Sequence, residues 1–416
     1  MGGFFRFNDG RFSDAAMTMR RACTGVFALA LAFGCDTTKR WPYEGPDSVR
    51  VTVRSPAQLG SAERRISDLD VVVDLDVVDA HGDPVADVVK LNVYAQWLGT
   101  LSPARDANPP LQEIEVRGGH AAGVHVNLPV AFGQTVLWFE DTGADRISSS
   151  FATGASLPLW YPDPTAADVN RPINEMAADS NEHSPLEGKQ LNVVSQPGNQ
   201  LVVTATYTQS YNVSEVRPDG TTPDYGHLYV FSFSKPPVYV GQVLEYVTGG
   251  VTEFNGMTEL SFPRASALEP QPQTRFFPKP VIVSSETLKD RIAMEKLEGA
   301  LIQVQDAVAC PLNDYDQKNY DKFGQWIIDV GAGCTARFLR MSVVTKGAVG
   351  NIDQSSPTMP GQTVPPAAGT RYGCITGTLR NVALNQGSVL VWILYPRPDD
   401  AEHRRPSDVK PMGACQ

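Results

Sequence analysis

The sequence predicts an all-β protein in which a β-sandwich is followed by two small β-barrels. The first half alternates apolar and polar residues with the period of two that half-buried strands show. Residues that favour turns are abundant, with 35 glycines and 32 prolines among 416 residues, as expected for short strands joined by tight turns. The second half repeats one order of strands. A chain of this length fits two or three domains of ordinary size.

The N-terminal 35 residues have the plan of a signal peptide. Two arginines precede an apolar run, residues 22–33, which is shorter than the roughly 20 residues that a permanent membrane helix needs. A glycine and then Cys35 follow. A small residue before a cysteine resembles the lipobox of bacterial lipoproteins, although Leu31 lies one position further from the cysteine than in the usual motif. The alternative is a buried core helix.

The lipobox resemblance implies that Cys35 is lipidated and becomes the mature N-terminus. It predicts a protein of the bacterial cell envelope that is anchored in a membrane through this lipid, on the periplasmic or the surface-exposed side. Residues 36–48 would then form a short polar tether between the anchor and the first domain.

Four further cysteines lie in the last third of the chain: Cys310, Cys334, Cys374 and Cys415. In an oxidising compartment an even number of cysteines predicts two disulfides, with three possible connectivities. A structural zinc site needs closely spaced pairs such as CxxC, and the chain has none. We therefore expect disulfides and not zinc.

Residues 49–159 carry the pattern of the predicted sandwich. Residues 49–53 alternate valine with polar side chains, and residues 69–77 place valine and leucine on one strand face. The opposite face carries a row of three aspartates: Asp70, Asp74 and Asp76. We interpret this row as a solvated sheet face. Further strands are predicted over 91–98, 113–116, 124–128 and 134–139.

The segment VVDAHGDPVADVVKLNVYA, residues 77–95, resembles the hairpin of bacterial immunoglobulin-like surface domains. This resemblance implies that the sandwich over 49–159 is immunoglobulin-like. The following residues, 160–183, are polar and rich in proline, and are interpreted as a linker.

The second half contains an internal repeat. Leu-Glu-Gly opens a strand at residues 186–188 and again at 297–299, and each copy closes with a related segment, residues 248–264 and 376–397. A strand led by glycine, at Gly226 and at Gly324, lies between opening and closing. Two copies of one five-stranded Greek-key barrel are the simplest account. The predicted bounds are 184–268 for the first barrel, 269–294 for a linker, and 295–416 for the second barrel with a C-terminal tail.

The string VGQVLEYVTGGVTEFNGMTEL, residues 240–260, resembles the OB-fold-like modules that accompany the catalytic domain of bacterial extracellular nucleases. The repeated Leu-Glu-Gly at 297–299 and the segment YPRPDDAE, residues 395–402, fit the same modules. The resemblance covers about residues 184–403 and implies OB-like barrels. The endonuclease/exonuclease/phosphatase domain of those nucleases is absent from this chain, so their activity does not carry over.

Motifs for catalysis and for cofactors are missing. The sequence has no HExxH, GxSxG, Walker or GxGxxG motif, and none of its six histidines lies near a serine or cysteine in a recognisable nucleophile setting. We therefore predict no catalytic residue, no enzyme activity and no cofactor.

The densest set of oxygen ligands lies in the second barrel: Asn313, Asp314, Asp316, Asn319 and Asp321. These residues are a weak calcium candidate, mainly through Asp314, Asp316 and Asp321, because hard cations bind several oxygen atoms at once. The set lacks the central glycine and final glutamate of an EF-hand loop. A polar loop between two strands is the favoured interpretation, and no metal is predicted.

Aromatic residues of the first barrel raise the question of nucleic-acid binding: Tyr207, Tyr211, Tyr229, Phe231 and Phe233. OB-folds stack single-stranded bases on aromatic side chains inside a basic groove. Residues 185–264 contain only four Lys or Arg against seven Asp or Glu, and the whole chain has a net charge of −11. Because the basic groove is missing, nucleic acid is an unfavoured partner and these aromatics are interpreted as barrel core.

The preferred function is that of a non-enzymatic lipoprotein that acts as a surface or periplasmic binding or assembly module, with a protein or glycan partner. The alternative is an accessory module, related to extracellular nucleases, that binds nucleic acid. An unrecognised hydrolase has the least support. The sequence does not identify ligand-binding residues.

Overall fold

The computed structural model describes residues 46–97, 110–142, 152–172, 175, 183–271, 277–336, 339–345, 365–384, 389–397 and 408–411. Within these ranges the chain is predominantly β, with 22 strands and four short helices. The strands form three sheets, each closed or nearly closed around its own core. The all-β prediction is therefore confirmed. The predicted signal peptide and Cys35 lie outside the described residues.

The N-terminal domain is one eight-stranded sheet in the order β4-β3-β6-β7-β1-β2-β5, with β8 paired to β6. The sheet curls around one core, and Gln112 Nε2 of β4 donates to the His125 carbonyl of β5 at 2.9 Å. The strands are β1 (Ser48–Ser55), β2 (Asp70–Val78), β3 (Val89–Trp97), β4 (Gln112–Val116), β5 (His120–Asn127), β6 (Gln134–Asp141), β7 (Thr153–Ala155) and β8 (Leu159–Trp160).

The alternation in β2 has the predicted effect. Val71, Val73, Leu75 and Val77 are fully buried, whereas the aspartates between them face outwards. Leu69 precedes the strand and is exposed, although the pattern had placed it with the buried residues.

The first barrel closes through the strand order β10-β11-β12-β14-β13, because β13 pairs with β10 as well as with β14. β12 and β14 are parallel, and the other neighbours are antiparallel. A short strand, β9, precedes β10 and pairs with β13. The strands are β9 (Gln190–Val194), β10 (Gln200–Thr206), β11 (Ser210–Val216), β12 (His227–Phe231), β13 (Val243–Phe254) and β14 (Met257–Ala267).

The second barrel has the same topology. β16 pairs with β20, and β20 pairs with β21. β21 is parallel to β19, which pairs with β18. β18 then pairs with β17, which follows β16 directly in the chain and so brings the sheet back to its first strand. Two short strands flank this ring, β15 beside β16 and β22 beside β20. The strands are β15 (Val281–Ile282), β16 (Leu301–Gln305), β17 (Val308–Ala309), β18 (Gln325–Asp329), β19 (Arg340–Val344), β20 (Tyr372–Leu384), β21 (Val389–Tyr395) and β22 (Val409–Pro411).

The repeat is visible in the backbone hydrogen bonds. Gly188 and Gly299, which end the two Leu-Glu-Gly turns, have φ of 76° and 75°, in the region that only glycine adopts freely. The Gly188 amide donates to the Val251 carbonyl at 2.9 Å, and the Gly299 amide donates to the Leu379 carbonyl at 2.9 Å. Each acceptor lies three residues after the threonine of a Thr-Gly pair. In both copies the tripeptide therefore binds the segment that leads into the barrel to the fourth strand of that barrel.

The two strands that begin with glycine are not equivalent, contrary to the sequence-based alignment of the copies. Gly226 precedes β12, the third strand of its barrel, whereas Gly324 precedes β18, the second strand of its own. The reasons for glycine also differ. A Cβ at Gly226 would lie 2.5 Å from Pro223 Cγ, whereas Gly324 ends a helix with a φ of 68°.

Three short helices lie in or beside the segments that separate the predicted domains, and a fourth lies inside the second barrel, between β17 and β18. They are α1 (Ala166–Asn170), α2 (Ser285–Lys289), α3 (Arg291–Glu295) and α4 (Asp314–Phe323). Ala166 and Val169 of α1 are buried in the core of the first barrel, and Met294 of α3 is buried in the core of the second. The residues between the sheets thus contribute to the barrel cores.

Candidate functional site

A cleft with a volume of about 390 Å³ lies between the N-terminal domain and the first barrel. This volume is within the range of about 300–1,000 Å³ typical of ligand sites, which often form where two domains meet. One wall comes from the ends of β6 and β8 with the turns beside them, and the other comes from β9 and β13.

Trp160 forms the aromatic part of the first wall. It belongs to β8, which pairs with β6, and a turn of the chain holds it from the other side. Its amide donates to the Leu59 carbonyl at 2.8 Å, and its own carbonyl accepts from the Ile66 amide at 2.8 Å. Gly60 makes this close approach possible, because a Cβ there would lie 3.0 Å from the Trp160 Cβ. The backbone of Trp160 is thus held on two sides.

Arg65 and Asp163 place one positive and one negative charge in the cleft. Arg65 Nη2 lies 3.2 Å from Asp163 Oδ2, and both side chains are partly buried. The Arg65 guanidinium also lies over the Trp160 ring, 5.3 Å from its centroid. Burial raises the pKa of Asp163, and the nearby Arg65 opposes that rise. The two formal charges neutralise each other, so the cleft carries polarity without a net charge.

The opposite wall presents uncharged polar side chains of the first barrel. Gln190 and Asn192 are two residues apart on β9 and therefore share one face of the strand. Thr248 of β13 stands directly opposite Asn192 in the antiparallel pair. Asn192 Oδ1 is buried and has no hydrogen-bond partner within the described ranges. This oxygen is enclosed by protein atoms, so the cleft is lined by other atoms of Asn192.

The predicted cysteine chemistry is seen in part. Cys310 and Cys334 form a disulfide with a Cα–Cα distance of 5.4 Å. Cys374 is also disulfide-bonded, to a partner outside the described residues. Cys415 and the predicted lipidation site, Cys35, lie outside them too.

The calcium candidate is helical, so the expectation of a polar loop at this place was wrong. Asn313 caps α4 by accepting from the amides of Tyr315 and Asp316 at 2.9 Å each. Asp321 accepts from Gln317 at 2.9 Å, whereas Asp316 is buried. Within the described ranges, His, Cys, Asp and Glu form no group of three or more that could hold a metal ion. Asp314, Asp316 and Asp321 are accordingly not brought together as a cation site.

The aspartate row of β2 is a sheet face on which each carboxylate has a basic partner. Asp70 contacts His125 Nδ1 at 3.0 Å, and Asp76 contacts His120 Nδ1 at 2.7 Å. Asp74 pairs with Arg54 at 2.6 Å. These cross-strand pairs are solvent-exposed and contribute little to stability individually.

The aromatic residues of the first barrel are divided among three environments, which the period-two pattern did not separate. Tyr211 lies in the barrel core. Tyr207 and Tyr229 are buried where the second barrel packs against the first. Phe233 is 49% exposed and stacks on Phe262, which is 76% exposed, with ring centroids 4.6 Å apart. For Phe233 the assignment to the core was wrong.

The second barrel covers the outer face of β11 and β12. Asn212 Nδ2 donates to the Gly299 carbonyl at 3.1 Å. The Cζ atom of Arg380, from β20, lies 4.1–5.0 Å from three tyrosine ring centroids, those of Tyr207, Tyr229 and Tyr395. On the first barrel this outer face is a contact between barrels.

One histidine does contact a serine, which the sequence did not indicate. Ser214 Oγ lies 2.9 Å from His227 Nδ1, on neighbouring strands β11 and β12. Both residues are fully buried at the contact between barrels, and burial lowers the pKa of His227 to about 3. A substrate cannot reach this pair in the folded chain, so the contact serves packing.

Three glutamates lie near each other at the same contact. Glu298 is buried in the second Leu-Glu-Gly turn, and its Oε1 accepts from the Thr258 amide of the first barrel at 3.0 Å. Burial raises the pKa of Glu298 well above its usual range, and the nearby Glu295 and Glu253 raise it further. The charged form is therefore disfavoured in the folded protein.

We expect Glu298→Gln to raise the thermal midpoint at pH 8 and to have little effect near pH 4. The pKa is raised on folding, so the stability that Glu298 contributes is full below the pKa of the unfolded chain and is lost as pH rises through the folded value. The amide cannot ionise and avoids this loss. Thermal unfolding of the variant and the parent chain from pH 4 to pH 8 measures the difference between their midpoints.

The matched control is Glu187→Gln, at the equivalent place in the first repeat, where the carboxylate is exposed and contacts His183. Its effect should stay small at every pH. A pH-independent difference between Glu298→Gln and the parent chain would contradict the assignment.

Comparisons with protein-family models, curated proteins and solved structures find no match for this chain. Among the described residues, no helix has the length and apolar character needed to cross a membrane.

Proposed function

We propose that this chain is a non-enzymatic lipoprotein of the bacterial envelope, anchored through Cys35, that binds a protein or glycan partner. The observation that carries the proposal is the cleft at the junction of the N-terminal domain and the first barrel. It is open to solvent, has the size of a ligand site, and combines an indole with polar side chains. The disulfide between Cys310 and Cys334 agrees with export to an oxidising compartment.

The domain types in this proposal are an immunoglobulin-like domain followed by two OB-like barrels. The order one-two-three-five-four, closed by a pairing of strands one and four and with strands three and five parallel, supports the OB-like assignment for both barrels. In the N-terminal sheet, β4-β3-β6 and β1-β2-β5 pack on one core and are linked in the sheet order by the short β7, which supports two layers of a sandwich.

Cell fractionation tests the anchor. Cys35→Ser should move the protein from the membrane to the soluble fraction, because the lipid would be the only attachment. Cys23→Ser is the matched control, since it changes a cysteine of the same segment that is removed with the signal peptide, and it should leave the distribution unchanged. Equal partitioning of the Cys35→Ser variant and the parent chain would refute the tether.

A second candidate is the binding of single-stranded nucleic acid, which the exposed stack of Phe233 on Phe262 favours. Both residues have positive φ, 58° and 53°, which is unusual for bulky side chains and is found preferentially at functional sites. Two observations oppose this candidate: the chain has a negative net charge, and the second barrel covers the outer face of β11 and β12. A gel shift of a single-stranded oligonucleotide at about 50 mM salt would favour this candidate if the shift is lost in Phe262→Ala.

A further inference from the structure

We infer that the cleft between the N-terminal domain and the first barrel is a binding site for an uncharged carbohydrate. The inference rests on the proposed binding function and names its ligand class. It follows from three properties of the cleft: its charge balance, its aromatic wall and its planar polar groups.

The charge balance excludes strongly charged ligands. Arg65 and Asp163 are the charged side chains that line the cleft, and they are paired with each other at 3.2 Å. A phosphate or a polyanion would have to break this pair and leave a partly buried carboxylate beside a second negative charge, which is costly. A cationic ligand would have to break the same pair and leave the Arg65 guanidinium beside a second positive charge. A neutral ligand leaves the pair intact.

The aromatic wall suits a ligand with a flat apolar face. Trp160, whose backbone is held by hydrogen bonds on both sides, lines the cleft with an indole that carries the Arg65 guanidinium over its ring. Phe132 and Pro164 extend this apolar surface. Sugar rings expose C–H groups on one face and hydroxyls at the rim, so they stack on an aromatic ring while their hydroxyls reach outwards. An indole with a polar rim is therefore complementary to a saccharide.

The polar groups around the indole match vicinal hydroxyls. Gln134, Gln190 and Asn192 carry amides, each of which donates and accepts at the same time, as adjacent hydroxyls do. Asn192 lines the cleft, and Thr248, which stands opposite it in the antiparallel pair, adds a hydroxyl. A ligand hydroxyl that bonds to these side chains would lose a partner if one of them were removed, so such a substitution should weaken binding.

The test is binding of the purified full-length chain to an array of neutral oligosaccharides, followed by calorimetric titration with the best neutral oligosaccharide found. A sialylated oligosaccharide, a single-stranded oligonucleotide and a short peptide library serve as parallel probes. We expect retention of neutral oligosaccharides alone. Asn192→Ala should raise the dissociation constant about tenfold, as the loss of one buried hydrogen bond implies. Trp160→Ala should abolish binding.

Two controls keep the test decisive. Asn127→Ala removes an exposed asparagine of β5, away from the cleft, and should leave affinity unchanged. Gln190→Ala changes a residue on the same strand face as Asn192. If Trp160→Ala fails to fold, the affinity of Gln190→Ala for the oligosaccharide tests the site instead.

The outcomes separate this inference from the function on which it rests. Neutral oligosaccharide binding that is insensitive to both Asn192→Ala and Gln190→Ala would overturn the site. Binding of a peptide, the sialylated oligosaccharide or the oligonucleotide that is lost in these variants, with no neutral saccharide bound, would overturn the ligand class while a binding function stands. No binding by any probe would overturn both.

Discussion

Arg397→Met should destabilise the two barrels by about 3–5 kcal/mol, the usual cost of removing one partner of a buried ion pair. Arg397 and Asp408 are both buried and are joined by two side-chain bonds, Nη2 to Oδ1 at 2.7 Å and Nε to Oδ2 at 2.9 Å. The substitution keeps the apolar stem but leaves the Asp408 carboxylate buried without its guanidinium. Urea denaturation followed by circular dichroism measures the loss.

Arg397 also joins the barrels, because its Nη1 donates to the Thr204 carbonyl of β10 at 3.2 Å. The matched control is Arg54→Met, which removes an arginine whose side chain is 62% exposed and which pairs with Asp74. A pair of this kind contributes little to stability, because solvent screens the attraction between its charges. If Arg397→Met costs no more than this control, the buried pair does not stabilise the barrels.

Removal of the cross-link by the double substitution Cys310→Ala, Cys334→Ala should lower the free energy of unfolding by about 3 kcal/mol. The disulfide joins cysteines 24 residues apart and so restricts the unfolded chain across α4 and β18. A parallel denaturation of the parent chain and the double variant under oxidising conditions gives the difference.

The same pair of proteins should unfold at similar denaturant concentrations once a reductant is present, because the parent chain then loses the same cross-link. Cys374 stays in both proteins, so its own disulfide affects them equally. A difference that persists in reductant would assign the cost to lost packing at the buried Cys310 and not to the cross-link.

The elements that could be predicted from the sequence are those fixed by neighbours in the chain. The alternation in β2 buries Val71, Val73, Leu75 and Val77, because a strand turns each successive side chain to the opposite face. The two Leu-Glu-Gly turns, with glycine at positive φ, give the same start to each barrel. Local rules of period and backbone freedom are sufficient for such features.

The candidate site could not be predicted, because its parts come together only when two domains pack. Trp160 is 32 residues from Asn192 in the chain, and neither belongs to a recognisable motif. The same limit explains the aromatic residues. Tyr229 is buried at the contact with the second barrel by Arg380, 151 residues away, whereas Phe233 lies beyond the end of β12 and stays exposed. A strand pattern indicates which residues share a face, but not what covers that face.

The contact through Arg380 has a consequence for how the chain would work as a whole. Its guanidinium is enclosed by tyrosines of both barrels, and its Nε and Nη2 find no hydrogen-bond partner in the described part of the chain. Separating the barrels would strip the cation of its aromatic surroundings. The two barrels should therefore move as one rigid unit, because any hinge motion between them would expose this cation and the tyrosines around it.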